Sequence, residues 1–236
     1  MKSARPTLLV SAIVWVLLFS FWRIVKNPRF QFFGDIYYRV QTTEKIVALT
    51  FDDGPNPNNT DLILDVLSKN RVSATFFMIG LNIEKYPEIA KRVFSRGHQL
   101  ANHSYSHQRM IFQSREFCED EIGKTDRLIR GTGYNGEIVF RPPYGKKFLS
   151  LPFTLARLHK KSVTWDSESD DTASQEPSIL VEKALSHVGP GSILLFHDGG
   201  KLKPGTIDAI EKIIVNLQAQ GYQFLRVNEL LARSKP

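Results

Sequence analysis

Cysteine is nearly absent: Cys118 is the one thiol in 236 residues. An intramolecular disulfide and a cysteine-based zinc cluster are both excluded. Cys118 falls in a run predicted to be helical over 114–130, where it reads as a small apolar side chain. Internal repeats and low-complexity tracts are also missing. So is any basic stripe interleaved with aromatics, and the net charge of +7 therefore carries no nucleic-acid footprint. It reads as solubility plus basic residues flanking an N-terminal apolar segment. No nucleic-acid partner and no obligate protein partner is expected.

The chain is long enough for one large domain with a single core. Hydrophobic residues at 42% and charged residues at 23% are ordinary for a globular protein. Lys2 and Arg5 precede an uncharged stretch from Pro6 to Trp22. That stretch is read as a short transmembrane anchor over 1–26, with Arg23 reaching to an interface. A cleaved signal peptide is the alternative. The expectation is a single-pass membrane protein whose catalytic domain lies outside the cytoplasm, secreted if the N-terminus is removed. Residues 27–41 read as a linker and 42–236 as the catalytic domain.

From Glu44 onward, short β-branched runs alternate with amphipathic ones. Strands are predicted at 46–51, 74–79, 99–102, 138–140, 162–165, 192–196 and 223–227. Helices are predicted at 60–69, 87–96, 114–130, 148–158, 178–187 and 206–220. Such alternation implies an α/β fold with a parallel sheet and crossover helices. Polar motifs follow strands one, three, four, five and six. A distorted β/α barrel of about seven strands gathers those ends on one rim, which an open sheet does not.

At that rim, Asp52 and Asp53 leave the first strand before a Gly54-Pro55 turn. Adjacent carboxylates point in different directions, so one can bind a cation while the other handles a proton. A solvated turn is the bland alternative. His103 and His107 are four apart, a spacing that puts both imidazoles on one face of a helical turn. With Asp53 they make a donor set for a divalent metal with open positions, accepting zinc, cobalt, nickel or iron. In Arg141-Pro142-Pro143-Tyr144-Gly145 the prolines remove two N–H groups. The Tyr144 N–H is then the first free donor on a rigid loop, suited to an oxyanion contact. Arg141 would orient a carboxylate, although a rigid loop with a surface arginine fits as well. His197 ends an apolar strand, placed to give a proton to a leaving group. The bland alternative is a satisfied rim histidine bonded to Asp198. Leu195 shares its side of the strand.

In this order, Thr50–Pro55, His103–His107, Arg141–Gly145 and Leu195–His197 resemble the polysaccharide deacetylase family, the NodB-homology domain of carbohydrate esterase family four. The resemblance spans roughly residues 42–231. It implies a distorted barrel, a divalent metal that is usually zinc, and hydrolysis of N-acetyl groups from acetylated amino-sugar polymers. It also implies Asp52 as general base, Asp53, His103 and His107 as metal ligands, and His197 as general acid. Tyr144 and Pro143 then help the oxyanion, and Leu195 walls the acetate. The segment Trp165–Thr172 departs from the family pattern. Aligned on Trp165 and Asp171, it puts Glu168 at the acid expected to link Arg141 to the catalytic histidine, with Asp166 as the alternative. Thr172 stands where a tryptophan groove wall is usual, and Trp165 is expected to contact substrate. Peptidoglycan is the first substrate expected and chitooligosaccharide the next. An O-acetyl xylan-type esterase and a weakened glycan-binding protein of the same fold are the alternatives.

Overall fold

The computed structural model describes residues 5–201 and 204–234. Helix α1 (Arg5–Lys26) leads to strand β1 (Ile36–Tyr37) and then β2 (Ile46–Asp52). Next come α2 (Thr60–Lys69), β3 (Thr75–Met78), α3 (Gly80–Lys85), α4 (Pro87–Ser95), β4 (Gln99–Asn102) and α5 (Arg115–Gly131). A 3-10 turn at Pro143–Gly145 precedes α6 (Ser150–Arg157), β5 (Ser162–Val163), β6 (Ser167–Glu168), α7 (Pro177–Leu185) and β7 (Ile193–His197). The chain closes with α8 (Pro204–Ala219), β8 (Gln223–Phe224) and α9 (Val227–Leu231).

All paired strands run parallel, in the order β4-β3-β2-β7-β6, with β8 also on β2 and β1 on β5. The strand predicted at 138–140 shrinks to single parallel bridges from Phe140 to Asn102 and to Ser162. The strand predicted at 162–165 becomes β5 and β6, with Trp165 between them. Hydrogen bonding therefore runs from β6 round to β5, and the covalent chain at 164–166 spans the remaining gap. This is a parallel α/β barrel, distorted at one seam. The segment read as a linker, 27–41, contributes β1 and the buried Val40.

Helix α1 forms, but among the described residues no helix is long and apolar enough to cross a membrane. The uncharged stretch from Pro6 to Trp22 is about 25 Å long at 1.5 Å per residue, the short end of what spans a hydrocarbon core of about 30 Å. The end of α1 packs on the domain: Phe21 stacks on Phe112 at 5.6 Å and meets Phe148 edge-on at 5.0 Å, and Val25 is buried.

Every residue of β2 is buried, because helices cover one face and the barrel interior the other. Alternation sorts the side chains. Val47, Leu49 and Phe51 join Phe76, Leu100, Leu194 and Phe196 in the layer beneath the helices. Ile46 and Ala48 join Phe77, Ala101, Val139, Val163 and Ile193 inside the barrel. Two residues beyond inward-facing Ala101, Val139, Val163 and Leu195 stand His103, Arg141, Trp165 and His197, and Asp52 follows Ala48 and Thr50 in the same register. Strand parity places Asp52 and His197, and the strand ends just before His103, Arg141 and Trp165 bring those three side chains to the same end of the barrel.

Candidate active site

Asp52 ends β2 and pairs in register with His197 at the end of β7, so the two lie side by side. Asp53 follows at φ 74°, with Ser104, His107 and Tyr144 also in the left-handed region at φ 65°, 56° and 59°. Non-glycine residues there cost on the order of 1–3 kcal/mol each and persist only when the surroundings dictate them. The surroundings do so here. The Asn82 side chain donates to Asp53 O at 2.8 Å, and the Ser104 N–H donates to Asn102 Oδ1 at 2.8 Å. The N–H groups of Tyr105 and Ser106 both donate to the buried Glu121 carboxylate, at 2.9 and 2.8 Å. His103 and His107 thus converge from a tight loop; the helical turn suggested by their spacing does not form. Gly54 fits because any Cβ there would lie 2.1 Å from Asp198 Oδ2.

The ligand atoms of Asp53, His103 and His107 all lie within 4.8 Å of one another. His103 Nε2 is 3.4 Å and His107 Nε2 3.1 Å from Asp53 Oδ1. His103 Nδ1 faces the Arg141 carbonyl oxygen at 2.8 Å, and a carbonyl only accepts, so the proton sits on Nδ1. Its Nε2 faces Asp53 Oδ1; burial opposes charge on the ring, but Asp52 and Asp53 outweigh it and raise the imidazole above its usual value, so a cation bound there would take the place of the Nε2 proton. Asp53 Oδ1 is buried without a hydrogen-bond partner of acceptable geometry. Three inward-facing electron-pair donors around a small space fit a divalent cation. Burial would raise the Asp53 carboxyl, yet the His103 and His107 imidazoles more than offset it and hold it at about 2. Burial and the neighbouring His103 push His107 down, favouring its neutral form.

Arg141 is fully buried. It donates to Asp52 Oδ1 at 2.6 Å, to Thr50 Oγ1 at 2.8 Å and to Thr164 O at 3.0 Å, with its guanidinium 3.9 Å from the Phe77 ring centroid. This occupies Asp52 Oδ1 and leaves Oδ2, which is 3.6 Å from His103 Nε2. A pocket of about 340 Å³ opens over these groups, lined also by Tyr144, Trp165, Thr172 and Leu195. In the 3-10 turn the N–H groups of Gly145 and Lys146 return to Pro142 O and Pro143 O, while among the described residues the Tyr144 N–H has no partner. Pro143, the first residue of this turn, is buried. Gly145, at φ 63°, lets the Trp165 ring lie 2.8 Å from where a Cβ would stand.

Residues 39–159 match the polysaccharide deacetylase family. The chain is 34% identical over 200 residues to a peptidoglycan-N-acetylglucosamine deacetylase of Bacillus cereus (strain ATCC 14579), across 84% of this chain and 93% of that protein. This chain belongs to the polysaccharide deacetylase family. It is also 33% identical over 187 residues to a chitooligosaccharide deacetylase of Sinorhizobium fredii, across 75% and 87% of the two chains. The crystal structure of the Bc1960 peptidoglycan N-acetylglucosamine deacetylase superposes with a TM-score of 0.81 at 31% identity, over 85% of this chain and 94% of that one.

Two assignments change in this deacetylase. The acid expected at Glu168 is Asp171. Asp171 Oδ1 accepts from His197 Nδ1 and Oδ2 from the His197 N–H, both at 2.8 Å. Glu168 is exposed on the pocket wall, where Trp165 Nε1–H donates to it at 3.3 Å. The alternative acid, Asp166, is taken by Arg39 and Ser192. Nor does Asp198 hold His197: it accepts from Thr60 Oγ1 at 2.6 Å. The acid partnering Arg141 is Asp52, not the fourth-motif residue. Burial opposes charge on His197, but Asp171, Asp52 and Asp53 outweigh it and raise its imidazole from 6.5 to about 9.

Glu121 escaped the motif reading, yet its signal was present. It sits among Cys118, Ile122, Thr125 and Ile129 on the buried face of α5, where a lone carboxylate requires partners.

Glu121→Ala should loosen the histidine loop and weaken metal affinity about 10–100-fold in chelator competition; unaltered affinity contradicts the role. In Asp171→Asn the raised His197 pKa should fall back toward 6.5. The imidazolium is then lost at lower pH, and the alkaline limb of the kcat profile should move down from about 9. An unmoved limb speaks against the pairing.

Proposed function

We propose that this enzyme hydrolyses the N-acetyl groups of N-acetylglucosamine-containing cell-wall polysaccharide, with peptidoglycan as its first substrate and zinc as its metal. The observation that carries the reading is the juxtaposition of a two-His, one-Asp donor set with Asp52 and His197 on one rim. Its similarity to deacetylases of peptidoglycan and of chitooligosaccharide supports an N-acetylated amino-sugar polymer over an O-acetylated xylan. The weakened glycan-binding alternative fits poorly, because Asp52, His103, His107 and His197 are all present and all converge.

Asp53, His103 and His107 would hold the metal. A divalent ion there supplies Lewis-acid polarisation of the acetamide carbonyl and acidifies water. Asp52 takes the proton of the attacking water at Oδ2, since Arg141 engages Oδ1. The tetrahedral oxyanion that follows accepts from the Tyr144 N–H, held ready by the Pro142-Pro143 turn. His197, its Nδ1–H bonded to Asp171, keeps Nε2–H free to protonate the departing amine. Acetate leaves with its methyl group against Leu195. Trp165, propped on Gly145, gives the sugar an apolar wall where the Thr172 position gives none.

The metal-loaded protein should release acetate from N-acetylglucosamine oligomers and lose that activity on chelation. Asp52→Asn and His103→Ala should each fall by two or more orders of magnitude. Full activity in either variant, or acetate release only from O-acetylated xylan, refutes the scheme.

We also propose that the enzyme works outside the cytoplasm at a membrane surface, where its polymer lies. The apolar side chains of α1 from Val10 to Phe19 are exposed on all sides, an area rarely left in water. Membrane fractionation with protease protection should recover the protein with membranes and accessible from outside. Recovery in the cytoplasmic soluble fraction contradicts this placement.

A further inference from the structure

A second groove of about 450 Å³ adjoins the catalytic pocket, within the ~300–1,000 Å³ range of ligand sites. The two share Trp165 and Glu168 as common lining. A polymer whose acetylated sugar occupies the pocket therefore places a neighbouring unit in this groove. Part of the lining is Pro28-Arg29, which precedes the residues matched by the family. That segment is firmly held: Thr164 Oγ1 donates to Pro28 O at 2.6 Å and the buried Lys147 ammonium to Asn27 O at 3.0 Å. The Arg29 N–H donates to Asn27 Oδ1 at 2.8 Å.

Two of the groove's other acids are paired with cations: Asp170 with Lys183, and Asp166 with Arg39 at 2.9 Å. The third, Glu168, lies on the side shared with the catalytic pocket, where it accepts from Trp165 Nε1–H at 3.3 Å and has no ion-pair partner among the described residues. The Arg29 guanidinium rests 5.2 Å from the Tyr38 ring centroid, and among the described residues it has no carboxylate partner. It is a positive fork set into a wall one step from the reacting sugar.

We infer that Arg29 binds a carboxylate carried by the polymer next to the acetylated sugar. The preferred substrate class is then an acidic, lactyl- or peptide-bearing glycan rather than a neutral chitooligosaccharide. This inference rests on the deacetylase reading above. A guanidinium matches a carboxylate with two parallel hydrogen bonds, and a neutral polymer offers only uncharged, weaker acceptors. Because Arg29 is exposed and remote from the reacting atoms, its effect falls on KM.

The test uses the full metal-loaded chain and two matched peptidoglycan fragments, one with free carboxylates and one with the same carboxylates amidated. Wild type should favour the free-carboxylate fragment, and Arg29→Ala should cut the ratio of kcat/KM values about fivefold, mainly through KM. Arg29→Lys should keep part of the preference, and about 1 M salt, which screens beyond roughly 3 Å, should erase it. Acetate release from both fragments with the same ratio in wild type and Arg29→Ala overturns the inference while leaving the deacetylase reading intact. No acetate from either fragment with metal-loaded wild type overturns both.

Discussion

The buried pair of Arg141 and Asp52 is the constraint on which the site depends. A guanidinium inside a barrel is costly to desolvate and is tolerated only when its donors are met. Here Asp52, Thr50 and the backbone of Thr164 meet them, over the face of Phe77. The same residue's main chain does further work. Its N–H donates to Asn102 O at 2.9 Å, and its carbonyl fixes the proton of His103 on Nδ1. One residue therefore orients the proposed base, sets the tautomer of a proposed ligand and ties the distorted seam to β4. Leaving Asp52 buried without it would cost about 3–5 kcal/mol by the usual measure of a broken buried pair.

Much of this was legible in the sequence because strand alternation is a hard rule. Within a strand, a polar residue two places after an inward one faces inward too, which places Asp52 and His197, while His103 and Arg141 follow directly on predicted strands. Helix α2 is found where its apolar spacing placed it, over Thr60–Lys69. What failed was whatever depended on local backbone shape. The four-residue spacing of the histidines suggests a helical turn, but left-handed Ser104 and His107 make a loop that Glu121 holds from a different element. The acid beside His197 could not be chosen among Asp166, Glu168 and Asp171 without the register of β6 on β7, because a shift of one residue changes the face presented.

The segment between α1 and β2 lies mostly ahead of the residues matched by the family and joins the two halves of the functional account. Its aromatic residues continue the apolar surface of α1: Phe32 meets Phe148 at 5.5 Å and Phe33 meets Phe153 at 5.7 Å. Its polar backbone meanwhile builds one wall of the groove beside the catalytic pocket. The proposed membrane attachment and the inferred substrate choice would thus fall on neighbouring residues, outside the strands that carry the chemistry.

The account stands on one metal held by three named side chains, with Asp52 kept off it by Arg141. X-ray absorption of the zinc-loaded protein, compared with Asp53→Ala and Asp52→Ala, tests that arrangement most directly. The predicted result is one ion per chain with two imidazole nitrogens and a carboxylate oxygen at roughly 2.0–2.2 Å, the oxygen shell altered in Asp53→Ala and retained in Asp52→Ala. Loss of the oxygen ligand in Asp52→Ala and its retention in Asp53→Ala would contradict it.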